Sequence, residues 1–304
     1  MARYRAGIIG LNLGRSHARG YDAADGIEIV AMCDIDAERL AGVADEFDVP
    51  GRYTSAEDML RTEALDIVSV ATPAALHARM TLLAARFPVQ AIIAEKPLAN
   101  SMGEAESMLT ACDAAGIKLL CGHQGRHFLI FEQARDLIAD GAIGTPLVLT
   151  CGGEGGLSNI GSHTIDRALY VLGDPEPRWV LGQVQRETDR YERGYVCEDL
   201  CFGIGSVEGG ARIVYDNDIG PHGNLGNRSF VITGDDGSII LEPPDESRTL
   251  AYGLRLISGN RDDCVVVPEG EPIELDHMQA QAEELVQWLD GCLLYTSPSP
   301  RDWA

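Results

Sequence analysis

Five short apolar runs govern what the first 122 residues can fold into: Ala6–Leu11, Ile27–Cys33, Ile67–Ala71, Val89–Ala94 and Ile117–Cys121. Amphipathic stretches separate them, including Asp36–Phe47, Ala74–Arg86 and Ser101–Ala115. A strand that is apolar on both faces must be covered on both faces, the condition of a parallel sheet wrapped by crossover helices. Ser101 followed by Glu104 is a capping-box signature for the last of these helices. The pattern predicts a doubly wound α/β domain over residues 1–122.

Beyond Gly122 the texture changes. A helix (Phe128–Asp140), a strand (Leu147–Cys151) and a helix opening near Ser162 precede a series of strands. The clearest are Val180–Val184, Leu200–Ile204, Ala211–Tyr215, Ser229–Thr233 and Ser238–Leu241, with Asp235-Asp236-Gly237 as a hairpin turn. Residues 123–294 are expected to form an α+β domain with a large, mostly antiparallel sheet, closed by an amphipathic helix over Glu274–Leu294. Helices cover one face of such a sheet and leave the other open to a partner, a second copy of the chain. Residues 295–304, with Pro298 and Pro300, break every pattern and are expected to be a non-native or disordered tail.

Charge and cysteine usage remove several classes of function. The net charge of −23 and the lack of a basic stripe argue against nucleic acid. No apolar run reaches the roughly 18 residues needed to span a bilayer. Met1–Arg5 leads straight into a strand, leaving no room for a signal peptide, so a cytoplasmic location is expected. Eight cysteines contain no CxxC pair, and no metal site is expected.

The turn after the first strand, with Gly10, Asn12, Leu13 and Gly14, has nearly the glycine spacing of a Rossmann dinucleotide site. Asn12 takes the second glycine's place and tolerates a left-handed conformation. The second strand ends at Asp34, whose carboxylate can accept ribose hydroxyls and repel a 2′-phosphate, favouring NAD. Asp34 could instead cap the following helix, a role equally open to Asp36. Lys96 is one of only two lysines among 24 cations and ends an apolar strand. Unlike arginine, a lysine there can exchange a proton, although a chance lysine is the plainer alternative.

The chain resembles the Gfo/Idh/MocA oxidoreductases (glucose–fructose oxidoreductase, inositol dehydrogenase and MocA types) over residues 4–290. The match rests on Gly7–His17, Val70-Ala71-Thr72-Pro73 with His77, Ala94-Glu95-Lys96-Pro97, and Gly161-Ser162-His163-Thr164-Ile165-Asp166, in that order. A weaker stretch is Gly122–Phe128, with His123 and Arg126 on the segment joining the domains. The resemblance implies that Thr72, Pro73, His77 and Glu95 line the cofactor and that Lys96 serves as proton donor or acceptor. It places His163, Asn159 and His123 toward substrate, with Asp166 orienting His163 or binding a hydroxyl, and Arg126 either binding a substrate carboxylate or hydroxyl or bridging the domains. Many relatives have an aspartate four residues before the histidine, where this chain has Asn159. The expectation is therefore that His163 is the main proton acceptor, that Lys96 supports it electrostatically, and that Asn159→Asp is tolerated.

The function implied is NAD-dependent hydride transfer to or from a secondary alcohol of a sugar, cyclitol or other polyol, by a homodimer or homotetramer. Two alternatives remain: an NAD-using lyase or glycosidase with no net redox change, and a non-catalytic NAD- or sugar-sensing regulator.

Overall fold

The computed structural model describes residues 4–153, 155–192, 195–218, 230–242, 253–258, 261–263 and 277–291. They belong to two compact units, divided between Gln124 and Gly125, with the last helix returning to the first unit.

In the first unit, strands β1 (Tyr4–Ile9), β2 (Ile27–Cys33), β3 (Gly51–Tyr53), β4 (Ile67–Val70), β5 (Ala91–Ala94) and β6 (Lys118–Cys121) form one sheet. Its order is β3-β2-β1-β4-β5-β6 and every pairing is parallel. Every residue of β4 and β5 is buried, as the continuous apolar runs require. Helices α1 (Leu11–Ala23), α2 (Ala37–Glu46), α3 (Ala56–Thr62), α4 (His77–Ala84) and α5 (Met102–Ala115) connect the strands. Ser101 Oγ caps α5 by accepting the Glu104 N–H. The short strand β3 has no counterpart among the apolar runs, because Gly51, Arg52 and Tyr53 stay partly exposed at the sheet edge. Strand order reverses between β1 and β4, so two successive crossovers leave in opposite directions and open a crevice at the carboxyl ends of the strands.

The second unit contains α6 (Leu129–Ala139), β7 (Pro146–Cys151), α7 (Ser162–Val171), β8 (Pro177–Gln185), β9 (Tyr191–Glu192), β10 (Tyr195–Val196), β11 (Leu200–Val207), β12 (Arg212–Asp218), β13 (Phe230–Gly234), β14 (Gly237–Glu242), β15 (Gly253–Ser258) and β16 (Arg261–Asp263). Eight of these strands make one sheet in the order β16-β15-β14-β13-β7-β12-β11-β8. Only the β7–β12 pairing is parallel. Phe131 and Ala134 of α6 and Ala168 and Leu169 of α7 share a core with Leu149, Ile213, Ile232 and Ile239 of the sheet. All nine residues of edge strand β8 are exposed, including Trp179, Val180, Leu181 and Val184.

The closing helix α8 (His277–Leu289) departs from expectation. It packs in the first unit, where Ala282 and Leu285 join the core of Tyr4, Leu11, Ala18 and Tyr21. Gly20 admits it, since a Cβ there would lie 2.5 Å from the Met278 carbonyl oxygen. Lys118, the chain's second lysine, donates to the Trp288 carbonyl and sits 4.7 Å above the indole ring. Periodicity shows that a helix has an apolar face, but not which core that face covers. The expected tail, 295–304, lies outside the described residues.

Candidate active site

The crevice begins at Gly10, which caps α1 with φ +88°. A Cβ there would stand 2.8 Å from the Ala71 carbonyl group and the Thr72 nitrogen, so only glycine lets the end of β1 approach the end of β4 this closely. Asn12 needs no left-handed conformation. The positive φ falls on Gly10, α1 starts at Leu11, and Asn12 and Leu13 occupy its first turn, Asn12 exposed. Gly14 lets the helix lie on the sheet, because a Cβ would meet Ile8 Cγ2 at 2.7 Å. Gly10 has no side chain to cap this helix, and apart from the Leu11 N–H, which Asp34 takes, its first-turn N–H groups and positive dipole end are left for an anion. The Thr72 hydroxyl is buried beside it with no hydrogen-bond partner among the described residues. These features fit a dinucleotide pyrophosphate.

Of the two carboxylates, it is Asp36 and not Asp34 that caps the helix after β2. Asp36 caps α2, accepting from the N–H groups of Glu38 and Arg39 at 3.1 Å. Asp34 ties the end of β2 to the start of α1. Its Oδ2 accepts the Leu11 N–H at 2.8 Å, and its Oδ1 accepts the Asp36 N–H at 2.9 Å. Arg39, which local spacing did not single out, donates to Asp34 Oδ1 at 3.1 Å from a half-exposed position.

Lys96 follows β5, is 8% exposed, and precedes Pro97 across a cis peptide bond. Beside it a buried polar chain crosses the first unit. Tyr21 Oη lies 2.6 Å from Ser69 Oγ, Ser69 Oγ lies 3.2 Å from His17 Nδ1, and His17 Nε2 lies 3.0 Å from Glu95 Oε1. Tyr21 donating to Ser69, Ser69 to His17 and His17 to the carboxylate satisfies every member. The second Glu95 oxygen accepts the Lys96 N–H at 3.1 Å. Burial opposes ionisation of Glu95, yet the hydrogen bond from His17 and the backbone bond and charge of Lys96 prevail and hold its carboxyl below the ordinary glutamate range. Burial pushes the Tyr21 phenol well up, which keeps it a donor. A carboxylate set by three side chains thus fixes the backbone from which Lys96 projects. His17, Ser69 and Tyr21 were missed as site-building residues, although His17 lies within the first family stretch.

His77 is buried rather than set on a helix surface. Its Nδ1 lies 2.7 Å from the Pro97 carbonyl and its Nε2 2.8 Å from the Thr72 carbonyl, so the ring ties together the turns after β4 and β5. Pro73 is exposed, and half-buried His123 follows Gly122 at the end of the first unit.

In the second unit, Arg126 and Asp166 differ from expectation. The Arg126 guanidinium is buried and grips the Asp166 carboxylate with two nitrogens, one bond being 3.1 Å. Asp174 adds a second carboxylate 3.4 Å away, and Tyr170 lies beneath both Arg126 and Arg135. Arg126 and Asp166 therefore hold each other within the domain, a pairing that the expectation for neither residue included. A buried guanidinium and a buried carboxylate are each best satisfied by the other, and 40 residues of separation hid the pair from sequence spacing.

His163 stands half-buried in the first turn of α7, one turn before Asp166. Asn159 lies in the π turn Leu157–Gly161 that leads into the helix. Its Nδ2 donates to Glu192 Oε2 at 3.0 Å, a partner that sequence reading did not supply. Among the described residues no group of His, Cys, Asp and Glu is arranged to hold a metal ion, and no helix is long and apolar enough to cross a membrane.

Comparison with known proteins places this geometry. Residues 4–123 match the family model described as "Oxidoreductase family, NAD-binding Rossmann fold", and residues 150–300 match that of its "C-terminal alpha/beta domain". The chain is 30% identical to a D-apiose dehydrogenase from Paraburkholderia graminis over 232 residues, covering 70% of this chain and 60% of the relative. It is 27% identical to inositol 2-dehydrogenase 3 of Saccharopolyspora erythraea, covering 98% and 88%. Several further curated relatives are matched over only about half of their length. An Agrobacterium radiobacter oxidoreductase, crystallised with NAD+, L-tartaric acid and magnesium, superposes with a TM-score of 0.81 at 21% identity, covering 99% and 92%, a likeness of fold.

The buried ions of the second unit give stability a pH dependence. Burial raises the Asp174 carboxyl to about 6, outweighing Arg126 and Arg135, and Asp166 adds to the rise. A carboxyl raised in the folded state stabilises that state when protonated. Its contribution is full below the unfolded value of 3.8 and is lost as pH climbs to about 6. Asp174→Asn keeps the neutral form throughout. Stability of the native protein relative to this variant is expected to fall by about 1–3 kcal/mol from about pH 4 to about pH 7, read by urea unfolding at each pH. Parallel pH curves for the two proteins would refute the assignment.

Proposed function

The chain belongs to the Gfo/Idh/MocA family of oxidoreductases, and we propose that it moves a hydride between NAD and a secondary alcohol carbon of a sugar, cyclitol or related polyol. The observation that carries this reading is the Lys96 turn, where a buried lysine is set on a carboxylate held by His17, Ser69 and Tyr21. Relatives named as dehydrogenases of apiose and inositol support the polyol class.

Gly10, Asn12, Leu13 and Gly14 would hold the pyrophosphate, Thr72 and Pro73 would border the nucleotide, and Asp34 would face the adenosine ribose. NAD, when bound, supplies the hydride acceptor at its nicotinamide ring. His163 takes the hydroxyl proton as the carbon-bound hydrogen departs. Lys96 stabilises the negative charge developing on the alcohol oxygen. Asn159 bonds a substrate hydroxyl but, being unable to ionise, relays no proton. His123 remains a substrate-side candidate.

Purified protein is expected to reduce NAD in the presence of at least one member of a polyol panel, with kcat/KM for NAD above that for NADP because Asp34 opposes the 2′-phosphate. Binding of NAD and sugar with no turnover would favour a sensor instead, and product formation without net NADH would favour elimination or glycoside cleavage. Equal use of NADP would remove Asp34 from its role and turn attention to Arg39.

Lys96→Arg keeps the positive charge but replaces a compact ammonium by a broad, planar guanidinium, which in a turn this buried cannot set that charge on the same alcohol oxygen. The variant is expected to bind NAD normally and lose on the order of 10²-fold or more in kcat. Retention of most of the native rate would show that the Lys96 ammonium does not contact the reacting alcohol oxygen.

We further propose assembly as a homodimer or homotetramer through the open face of the eight-stranded sheet. Trp179 and Leu181 of β8, with Phe202 on the neighbouring strand β11, are exposed on the face opposite the helices and support it. Light scattering is expected to give a dimer or tetramer for the native chain and a monomer for Leu181→Glu. A native monomer at micromolar concentration would overturn it.

A further inference from the structure

We propose that Glu192 is the positioning residue for the Asn159 amide, and that residues 159 and 192 form a matched pair carrying a single negative charge. The proposal rests on the reading above that Asn159 meets a substrate hydroxyl.

Glu192 Oε2 accepts two hydrogen bonds, one from Asn159 Nδ2 and one from the Gly156 N–H, both at 3.0 Å. Its other oxygen lies 3.6 Å from an Arg190 guanidinium nitrogen. Nearby, the Leu157 N–H donates to the Glu198 carboxylate, and fully buried Asn217 donates from Nδ2 to the Gly155 carbonyl at 2.7 Å. Glycine is needed for this approach. A Cβ on Gly156 would fall 2.5 Å from Cys197 Sγ, and one on Gly155 would fall 2.4 Å from the Ile160 side chain and 3.2 Å from Glu192 Oε2. Segment 155–161 is therefore clamped by side chains from three separate places in the unit.

The clamp decides which way the amide faces. A carboxylate only accepts hydrogen bonds, so the group that Asn159 turns to Glu192 must be its NH₂. The carbonyl Oδ1 is then directed away from Glu192 as a hydrogen-bond acceptor, the polarity that suits an alcohol O–H. Without Glu192 the amide could turn over and present donors instead.

The same contact forbids a simple return to the aspartate found in relatives. The Asn159→Asp substitution would put a second carboxylate against Glu192, and like charges at that distance cannot both stay ionised without cost. Arg190, Glu198 and Cys197 are charged or titratable groups around the pair among the described residues, and of these three Arg190 offsets a second negative charge. This revises the expectation that Asn159→Asp is tolerated.

A double-mutant cycle on the full chain tests the pair in two ways. By thermal unfolding, N159D is expected to melt several degrees below the native protein at neutral pH, because two carboxylates then face each other. N159D/E192Q is expected to regain most of the loss at neutral pH. By steady-state kinetics, E192A should lower kcat/KM about tenfold, while E192Q stays within about threefold. One oxygen accepts both bonds in the native protein, so the amide oxygen of glutamine can replace it. N159D as stable as the native chain at neutral pH, or E192A with unchanged kcat/KM, would overturn the proposal. Absence of turnover by the native protein would sink the functional reading, and the unfolding cycle would still decide whether 159 and 192 share one charge.

Discussion

The constraint on which the candidate cofactor cradle depends is the approach of Gly10 to the backbone of Ala71 and Thr72. It lies where the strand order reverses, and a side chain of any size at residue 10 would force β1 and β4 apart at their carboxyl ends. Several parts of the candidate site depend on that approach. Helix α1 starts there without a side-chain cap, Asp34 reaches its first N–H, and the Thr72 hydroxyl is enclosed beside it. Backbone geometry creates the cofactor cradle, and side chains finish it.

Polar groups are buried in both units, for different ends. In the first, the Tyr21–Ser69–His17–Glu95 chain gives each buried group a partner, so it avoids the penalty of an unmade bond while fixing one backbone turn. His77 works similarly between two carbonyls. In the second, Arg126 faces two carboxylates, and only one is gripped closely. The outer one, Asp174, keeps much of its desolvation cost, which is why its carboxyl is raised whereas Glu95 is held low. Burial alone predicts neither direction; the closeness of the cationic or donor partner decides.

Elements defined by local periodicity were legible in the sequence. The parallel strands, the α5 cap at Ser101, the hairpin at Asp235-Asp236 and the helix beginning at Ser162 all follow from residues within one or two turns of each other. Gly10, Asp34 and Lys96 were legible because their chemistry is tied to strand ends. Illegible features depended on residues far apart in the chain. Helix α8 shows an apolar stripe but no address, so its return to α1 could not be read. Strand β3 is too short and too exposed to carry an apolar signature. Arg126 and Asp166 each look free to meet a ligand until the fold brings them together.

Asn159 is the sharpest case of this limit. Seen alone, an asparagine in place of an aspartate looks like the loss of a charge. The fold brings Glu192 to its side chain from 33 residues away, so a carboxylate is present at the turn after all, displaced by one side-chain length. In a half-buried pocket the number of carboxylates in contact governs proton affinity more strongly than which residue carries them. Two would trap a proton between them, and none would leave the Gly156 N–H and Arg190 without their acceptor. One carboxylate beside one amide satisfies both. Asparagine at 159 is then the residue that a glutamate at 192 requires.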